Sequence, residues 1–408
     1  MRISTNQIYA RSTNNLLDQQ AKLNQLQNQL NGTRVNSPSD DPIASAQIEL
    51  MKQRLNSAQI YQNNSQNLNN ALNLQDGVMG STVSSIQSLM TLQTQAQNGV
   101  LSKSDRQALG VQAQKILDQL VGYGNSTGLS GEYIFSGSKS DTAAISRTYN
   151  SSTNSYDYSY NGDDKQRFQA ISDSLQVAAN DPGDGLFMNI PAGNGSFSIK
   201  QTANPNNGTV VASAGSVSDP LAFTPGDYTI TVNTAIPPNN VTILDNGGNP
   251  VTGSPFTYQS GEAISFNGMT ITLTGAAADG QSFSLKTGEN DSLFSTVQRM
   301  VDNLNAPYDT TAEKAAIQTE NNQIFMQLNN SLTHFSNARA DLGSRVNQLT
   351  SMGDVNDKTN LINQEVITQL QSSDIISVTS QFQLQLVSLK AAQQSFVQIQ
   401  GLSVFNYI

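Results

Sequence analysis

The chain has 408 residues, 37% hydrophobic and only 13% charged, with a net charge of −10 and no cysteine. That length and apolar content allow two or three domains with real cores. A diffuse acidic balance argues against nucleic acid, which needs a concentrated Lys/Arg surface, and the missing thiols exclude disulfides and thiolate metal sites.

From the N-terminus, Tyr9, Leu16, Leu23 and Leu30 recur every seven residues, with Leu26 at the alternate seam position. A seven-residue repeat keeps one apolar stripe on a single helix face, and such a stripe needs a partner. The spacing predicts a helix from about Thr5 to Asn31, ended by Gly32. The opening residues lack the apolar core of a secretory signal, and no stretch approaches the roughly 18 apolar residues of a membrane span, so no membrane insertion is expected. In Ser37-Pro38-Ser39-Asp40-Asp41-Pro42, the residues before each proline are pushed toward extended geometry. Asp41 suits an N-cap and Pro42 the first helical position. A long helix is expected from there, carrying Ile48, Met51, Leu55, Leu68 and Leu72 and interrupted around Gly77 and Gly80, with another from about Ser104 to Val121.

The character changes at Ser130-Gly131-Glu132-Tyr133-Ile134-Phe135-Ser136-Gly137. From there to about Asn290, short apolar alternations are separated by Gly, Pro and Asn turns. Tyr156, Tyr158 and Tyr160 alternate before Asn161-Gly162, and Tyr228, Ile230 and Val232 before Pro237-Pro238. Ile264-Phe266, Met269-Ile271-Leu273 and Phe283-Leu285 follow, which reads as an antiparallel sandwich or barrel-like domain.

Helical character returns near Asp291, with a break expected around Gly353 to Asp357. Ile375, Phe382, Leu389 and Phe396 then repeat at seven, with Val378, Ala392 and Ile399 between them. After Asp374 the last 34 residues hold one charged side chain, Lys390. A solvated helix usually carries Glu and Lys on its polar face. Gln, Ser and Asn replace them here, as suits a helix packed on several sides in an assembly, and a lone terminal pair should be marginal in the free monomer. The two heptad stripes suggest that the chain ends meet. The expected fold class is α+β multidomain, an elongated helical bundle or coiled coil of N- and C-terminal segments with an inserted antiparallel β domain. The divisions are 1–36 with 370–408, 37–140 with 291–369, and 141–290, the last divisible into 141–195 and 196–290.

The residue inventory offers little chemistry. His334 is the only histidine, no G-x-S-x-G occurs, and neither a P-loop nor a dinucleotide fingerprint is present. Asp40-Asp41, Asp163-Asp164 and Asp245-Asn246-Gly247-Gly248 fit turns better than metal loops, since none has the twelve-residue calcium pattern. No catalytic residue, metal or cofactor is expected, and the candidate interface is Leu16, Leu23, Leu26, Leu30, Ile375, Val378, Phe382, Leu389, Phe396 and Ile399.

Opposed helical ends around a different middle, with the turn Ser37-Pro38-Ser39-Asp40-Asp41-Pro42-Ile43-Ala44, resemble the flagellin superfamily of bacterial flagella. The opening Met1-Arg2-Ile3-Ser4-Thr5, the Gly131–Gly137 segment and Tyr160-Asn161-Gly162-Asp163 are more similar to its hook–filament junction members than to filament flagellins. So are Arg339-Ala340-Asp341-Leu342-Gly343-Ser344-Arg345 and the ending Leu402–Ile408. The resemblance covers roughly 1–190 and 290–408, and the stretch 196–290 departs from compact members as an added β insertion. It implies extracellular work in the flagellum, after export through the flagellar type III apparatus without a cleaved signal. The implied partners are the first hook-associated protein, flagellin, further copies of the chain in a ring, and a flagellar export chaperone. The alternatives are filament flagellin, a secreted β-domain adhesin on a coiled stalk and, weakest, an enzyme.

Overall fold

The computed structural model describes residues 5–35, 38–98, 101–235 and 238–401. Expectations on Met1–Ser4, Ser37, Pro237 and Leu402–Ile408 lie outside the described residues. In chain order come α1 (Thr5–Leu30), α2 (Pro42–Ala96), α3 (Lys103–Gly124), β1 (Ile145–Asn150), β2 (Ser155–Tyr160), β3 (Phe168–Ala170), β4 (Gln176–Ala178), a π-helical turn (Asp184–Met188) and β5 (Ile190–Pro191). Next are β6 (Phe197–Ala203), β7 (Val211–Ala212), β8 (Ser216–Val217), β9 (Asp227–Asn233), β10 (Asn240–Asp245), β11 (Phe256–Thr257), β12 (Ala263–Phe266), β13 (Met269–Thr274), β14 (Ser282–Thr287) and β15 (Asn290–Asp291). The chain ends in α4 (Leu293–Asn305), α5 (Thr311–Gln371) and α6 (Ile375–Gly401). This is an α+β architecture, with long N- and C-terminal helices and an antiparallel β domain inserted between them.

The chain folds into two compact units, residues 1–64 with 350–408 and residues 65–349. The limits fall inside α2 and α5, which run unbroken through the glycines where the sequence suggests interruptions. A Cβ at Gly77 or Gly353 would meet nothing within 4 Å. Each glycine therefore costs its helix only about 1 kcal/mol of propensity, too little against packing such as that of the fully buried Leu72, Met79, Ile86 and Leu89.

In the first unit, Asp41 caps α2: its Oδ1 accepts from the Ala44 amide at 3.0 Å and its Oδ2 from Arg34 Nη2 at 2.5 Å. The Ala44 amide, then the Arg34 guanidinium, hold the Asp41 carboxyl below its ordinary range. Val35, Ala44 and Ile48 form a small core, with Ile367 and Leu370 of α5 against it.

In the second unit, an aromatic chain joins the hairpin to the helices. Tyr158 stacks on Phe294, Phe294 on Phe187, and Phe187 meets Phe335 edge-on, at centroid spacings of 5.6, 5.5 and 5.2 Å. The Gly131–Gly137 and Tyr160–Asp163 motifs form one clasp. Tyr160 Oη donates to the Phe135 carbonyl at 2.8 Å, and Asp163 accepts from the Ser138 amide at 2.7 Å and from Ser138 Oγ. A Cβ at Gly162 would strike Tyr160 Oη and the Ser136 carbonyl, so only glycine lets the strands close. The Arg339–Arg345 motif supplies interhelical clamps. Arg339 bonds both oxygens of Asp76 at 2.7 and 3.0 Å, and Arg345 those of Asp181 at 2.6 and 2.7 Å.

The insertion is a sandwich. A five-stranded sheet, β11-β10-β9-β14-β6, faces β12-β13-β7, with β8 pairing β13. Alternate residues such as Ile230, Val232, Phe283, Ile271 and Leu273 fill the shared core. Helix α5 completes the edges with side-chain amides: Gln323 Oε1 accepts from the Ile199 amide of β6, and Asn322 Nδ2 donates to the Ala212 carbonyl of β7. Polar atoms on a helix thus occupy strand groups that would otherwise invite pairing with another chain.

Arg345 and Asp181 side chains are only 12% and 16% exposed, so Arg345→Ala, which leaves a nearly buried carboxylate with only the Gln75 and Gln166 amides, should lower unfolding free energy by about 2 kcal/mol. Arg147→Ala, at an exposed pair with Asp118, should cost under about 1 kcal/mol. Denaturant midpoints measure both. The Ser138 hydroxyl, then its amide, depress the Asp163 pKa below 3.8. Its contribution is therefore full above the unfolded value and lost as pH falls through the folded one. Asp163→Asn should flatten that acid limb of the stability–pH curve, and an unchanged limb would refute the clasp's role.

Candidate assembly surface

Helices α1 and α6 run antiparallel. Tyr9 meets Phe396 edge-on at 6.4 Å, Gln385 Nε2 donates to the Gln19 carbonyl at 3.4 Å, and Ser373 Oγ to the Gln29 carbonyl at 2.6 Å. The pairing begins where the links α1–α2 and α5–α6 lie side by side, the Arg34 amide donating to the Gln371 carbonyl at 2.6 Å. Asp374 starts α6, its Oδ1 accepting from the Ile376 and Ser377 amides at 3.1 and 3.2 Å. The two stripes are brought together as their spacing implies, because seven-residue repeats on antiparallel helices can face each other along their length.

The seam is shallow. Leu26 and Val378 are buried, whereas Leu16, Leu23, Leu30, Phe382, Leu389 and Phe396 are half-buried. Ile375 is exposed: it is the first residue of α6, beside the Gln29 end of α1 where the facing helix stops. The Ile399 side chain lies outside the described residues.

A second apolar face falls outside the heptads. Ile376, Leu384 and Val387 of α6 are 85%, 67% and 65% exposed. At about 100° per residue they share an arc of about 80°, roughly opposite Phe382, Leu389 and Phe396. The eleven-residue spacing of Ile376 and Val387, three helical turns, is the signal in the sequence that marks it. Ser380, Gln394 and Gln398 fall within this arc and Gln383 and Lys390 flank it, Lys390 being the only charge on α6. Exposed apolar residues clustered on one helix face without charges mark an interaction surface.

The other candidates have structural partners. His334 lies 2.9 Å from the Gly185 carbonyl through Nε2. Asp245 accepts from the Asn249 amide at 2.8 Å, closing the turn after β10. No group of three or more acidic, His or Cys residues among the described residues could hold a metal, and no helix among them is long and apolar enough to cross a membrane.

Residues 3–140 match the bacterial flagellin N-terminal helical region. With the paired terminal helices and inserted β domain, this defines a flagellin-type protein of the bacterial flagellum. The structure is similar to that of the flagellar junction protein FlgL from Legionella pneumophila, with 44% identity and a TM-score of 0.71, over 80% of this chain and 100% of that one. The sequence is 25% identical to flagellar hook-associated protein 3 of Escherichia coli over 100% of this chain and 99% of that protein. Against the Salmonella typhimurium protein of the same name, identity is 30% over 47% of this chain and 58% of that one. The chain belongs to the flagellar hook-associated protein 3 family.

With Leu26 and Val378 the only buried side chains among these described seam positions, the α1–α6 pair should open before the cores of residues 65–349. Limited proteolysis of the monomer should cut first within α1 and α6. Protection extending through Leu16 and Phe396 would refute this.

Proposed function

We propose that this chain forms the layer joining the flagellar hook to the flagellin filament, passing torque and matching the two lattices. It meets the first hook-associated protein on one side and flagellin on the other. In this reading residues 1–36 with 370–408 are the assembly layer, 37–140 with 291–369 the helical trunk, and 141–290 the inserted β part. Leu16, Leu23, Leu26, Leu30, Ile375, Val378, Phe382, Leu389, Phe396 and Ile399 set the terminal pair, and the exposed stripe of α6 meets neighbouring copies. Export through the flagellar apparatus with a chaperone, and no cleaved signal, belongs to the same proposal.

The observation that carries it is the uncharged apolar face of α6 on a chain of this family. Burying Ile376, Leu384 and Val387 contributes about 1.5–3 kcal/mol each, roughly 5–9 kcal/mol in all. Association costs about 4–15 kcal/mol, a range that overlaps this gain, so the surface alone is marginal for two copies in dilute solution. A closed ring, in which every copy is held on two sides, is not. The chain then stays monomeric until it is templated.

Deleting the gene should leave cells with hooks that shed flagellin into the medium, whereas loss of flagellin itself would point to a filament subunit. In that background, the combined Ile376→Asp, Leu384→Asp and Val387→Asp variant should be exported with the melting temperature of its β domain unchanged, yet fail to restore filaments. Normal filament growth would refute the α6 surface. Leu389→Asp should also block assembly, but by loosening the α1–α6 seam in the monomer.

A further inference from the structure

Where the chain enters and leaves the insertion, a cavity of about 210 Å³ opens beside Ser198 and Lys200 of β6, Glu289, Asp291 of β15, Arg299 of α4 and Gln323 of α5. Its acceptors are already engaged. Asp291 Oδ1 accepts from the Ser292 amide and Ser295 Oγ, and its Oδ2 from Arg299 Nη2. Glu289 accepts from Ser198 Oγ at 3.1 Å and pairs with Lys286 at 3.1 Å. Arg299 is held between Asp291 and Glu320, a trio that keeps one net negative charge.

The donors are left over. Gln323 is 2% exposed; its Oε1 accepts from the Ile199 amide, and its Nε2 has no partner. Lys200 forms no ion pair among the described residues. A buried donor without an acceptor is costly, and a water molecule occupies only about 30 Å³ of liquid, so there is room for a larger acceptor. We propose that this cavity binds a small free oxyanion of the phosphate type, which accepts from Gln323 Nε2 and Lys200 Nζ. The ion ties β6 to α5 at the root of the insertion and so fixes the insertion on the helix beneath it. Lys200 is the one cation lining the site without an ion-pair partner among the described residues, and the excess carboxylate beside Arg299 opposes an anion, so binding is weak but saturable.

The test is titration of the full chain with inorganic phosphate, exchanging chloride to hold ionic strength constant. The expected result is a saturable rise in melting temperature, with apparent affinity at least about tenfold weaker in Gln323→Leu and in Lys200→Ala. Lys200 is exposed, so its variant tests the site even if Gln323→Leu fails to fold. A selenate-grown crystal should show an anomalous peak in the cavity. A melting shift that chloride reproduces, or one retained in Lys200→Ala, or water alone in the cavity, overturns the proposal.

Discussion

The unit of residues 1–64 with 350–408 depends on the antiparallel pairing of the chain's first and last helices. Once α1 lies along α6, from Tyr9 against Phe396 to Gln29 against Ser373, the remaining chain must leave and return at the same place. The hydrogen bond from Arg34 to Gln371 marks that place. Within residues 65–349 the inserted β strands are tolerated because they lie between α3 and α4, which pack against each other. The pairing is also weak by the nature of its residues. Half-buried Leu and Phe leave apolar surface uncovered, and that remainder is what a neighbouring copy can use.

The second unit spends its polar residues differently. Asn and Gln of α5 are turned inward, onto the backbone of β6 and β7 and onto Gln93 and Asn303. A helix with Lys and Glu at those positions would bury charge against a sheet edge, at several kcal/mol per ion. Amides bond both donors and acceptors without that penalty. The low charge of the sequence accompanies two features: lateral amide bonding within residues 65–349, and an exposed apolar stripe on α6.

The motifs shared with the family act mainly as joints. Tyr160 and Asp163 close the hairpin onto the Phe135–Ser138 turn, while Arg339 and Arg345 tie α5 to α2 and to the Asp181 loop. A protein that carries load between a hook and a filament needs such joints more than it needs a reactive group. Arg339 meets Asp76 through two nitrogens, Nε and Nη2, a bidentate geometry that fixes the orientation of the pair.

Local signals were legible in the sequence because local physics decides them. The Asp41-Pro42 cap, the alternation of Tyr228, Ile230 and Val232, and the heptads of α1 and α6 are each set by steric or periodic constraints within a few residues. The unbroken helices through Gly77 and Gly353 were not legible, since a penalty of about 1 kcal/mol is decided by packing far along the chain. Nor was the exposure of Ile375, which depends on where the facing helix stops. The stripe of Ile376, Leu384 and Val387 was hidden for a related reason: periodicity shows that a face is apolar but not which face finds its partner within the same chain. By itself the sequence determined the helical ends, the inserted β strands and the scarcity of charge. Only the tertiary structure decided which apolar stripe of α6 lies against α1 and which stays exposed, because burial is a property of the facing surface and not of the residue.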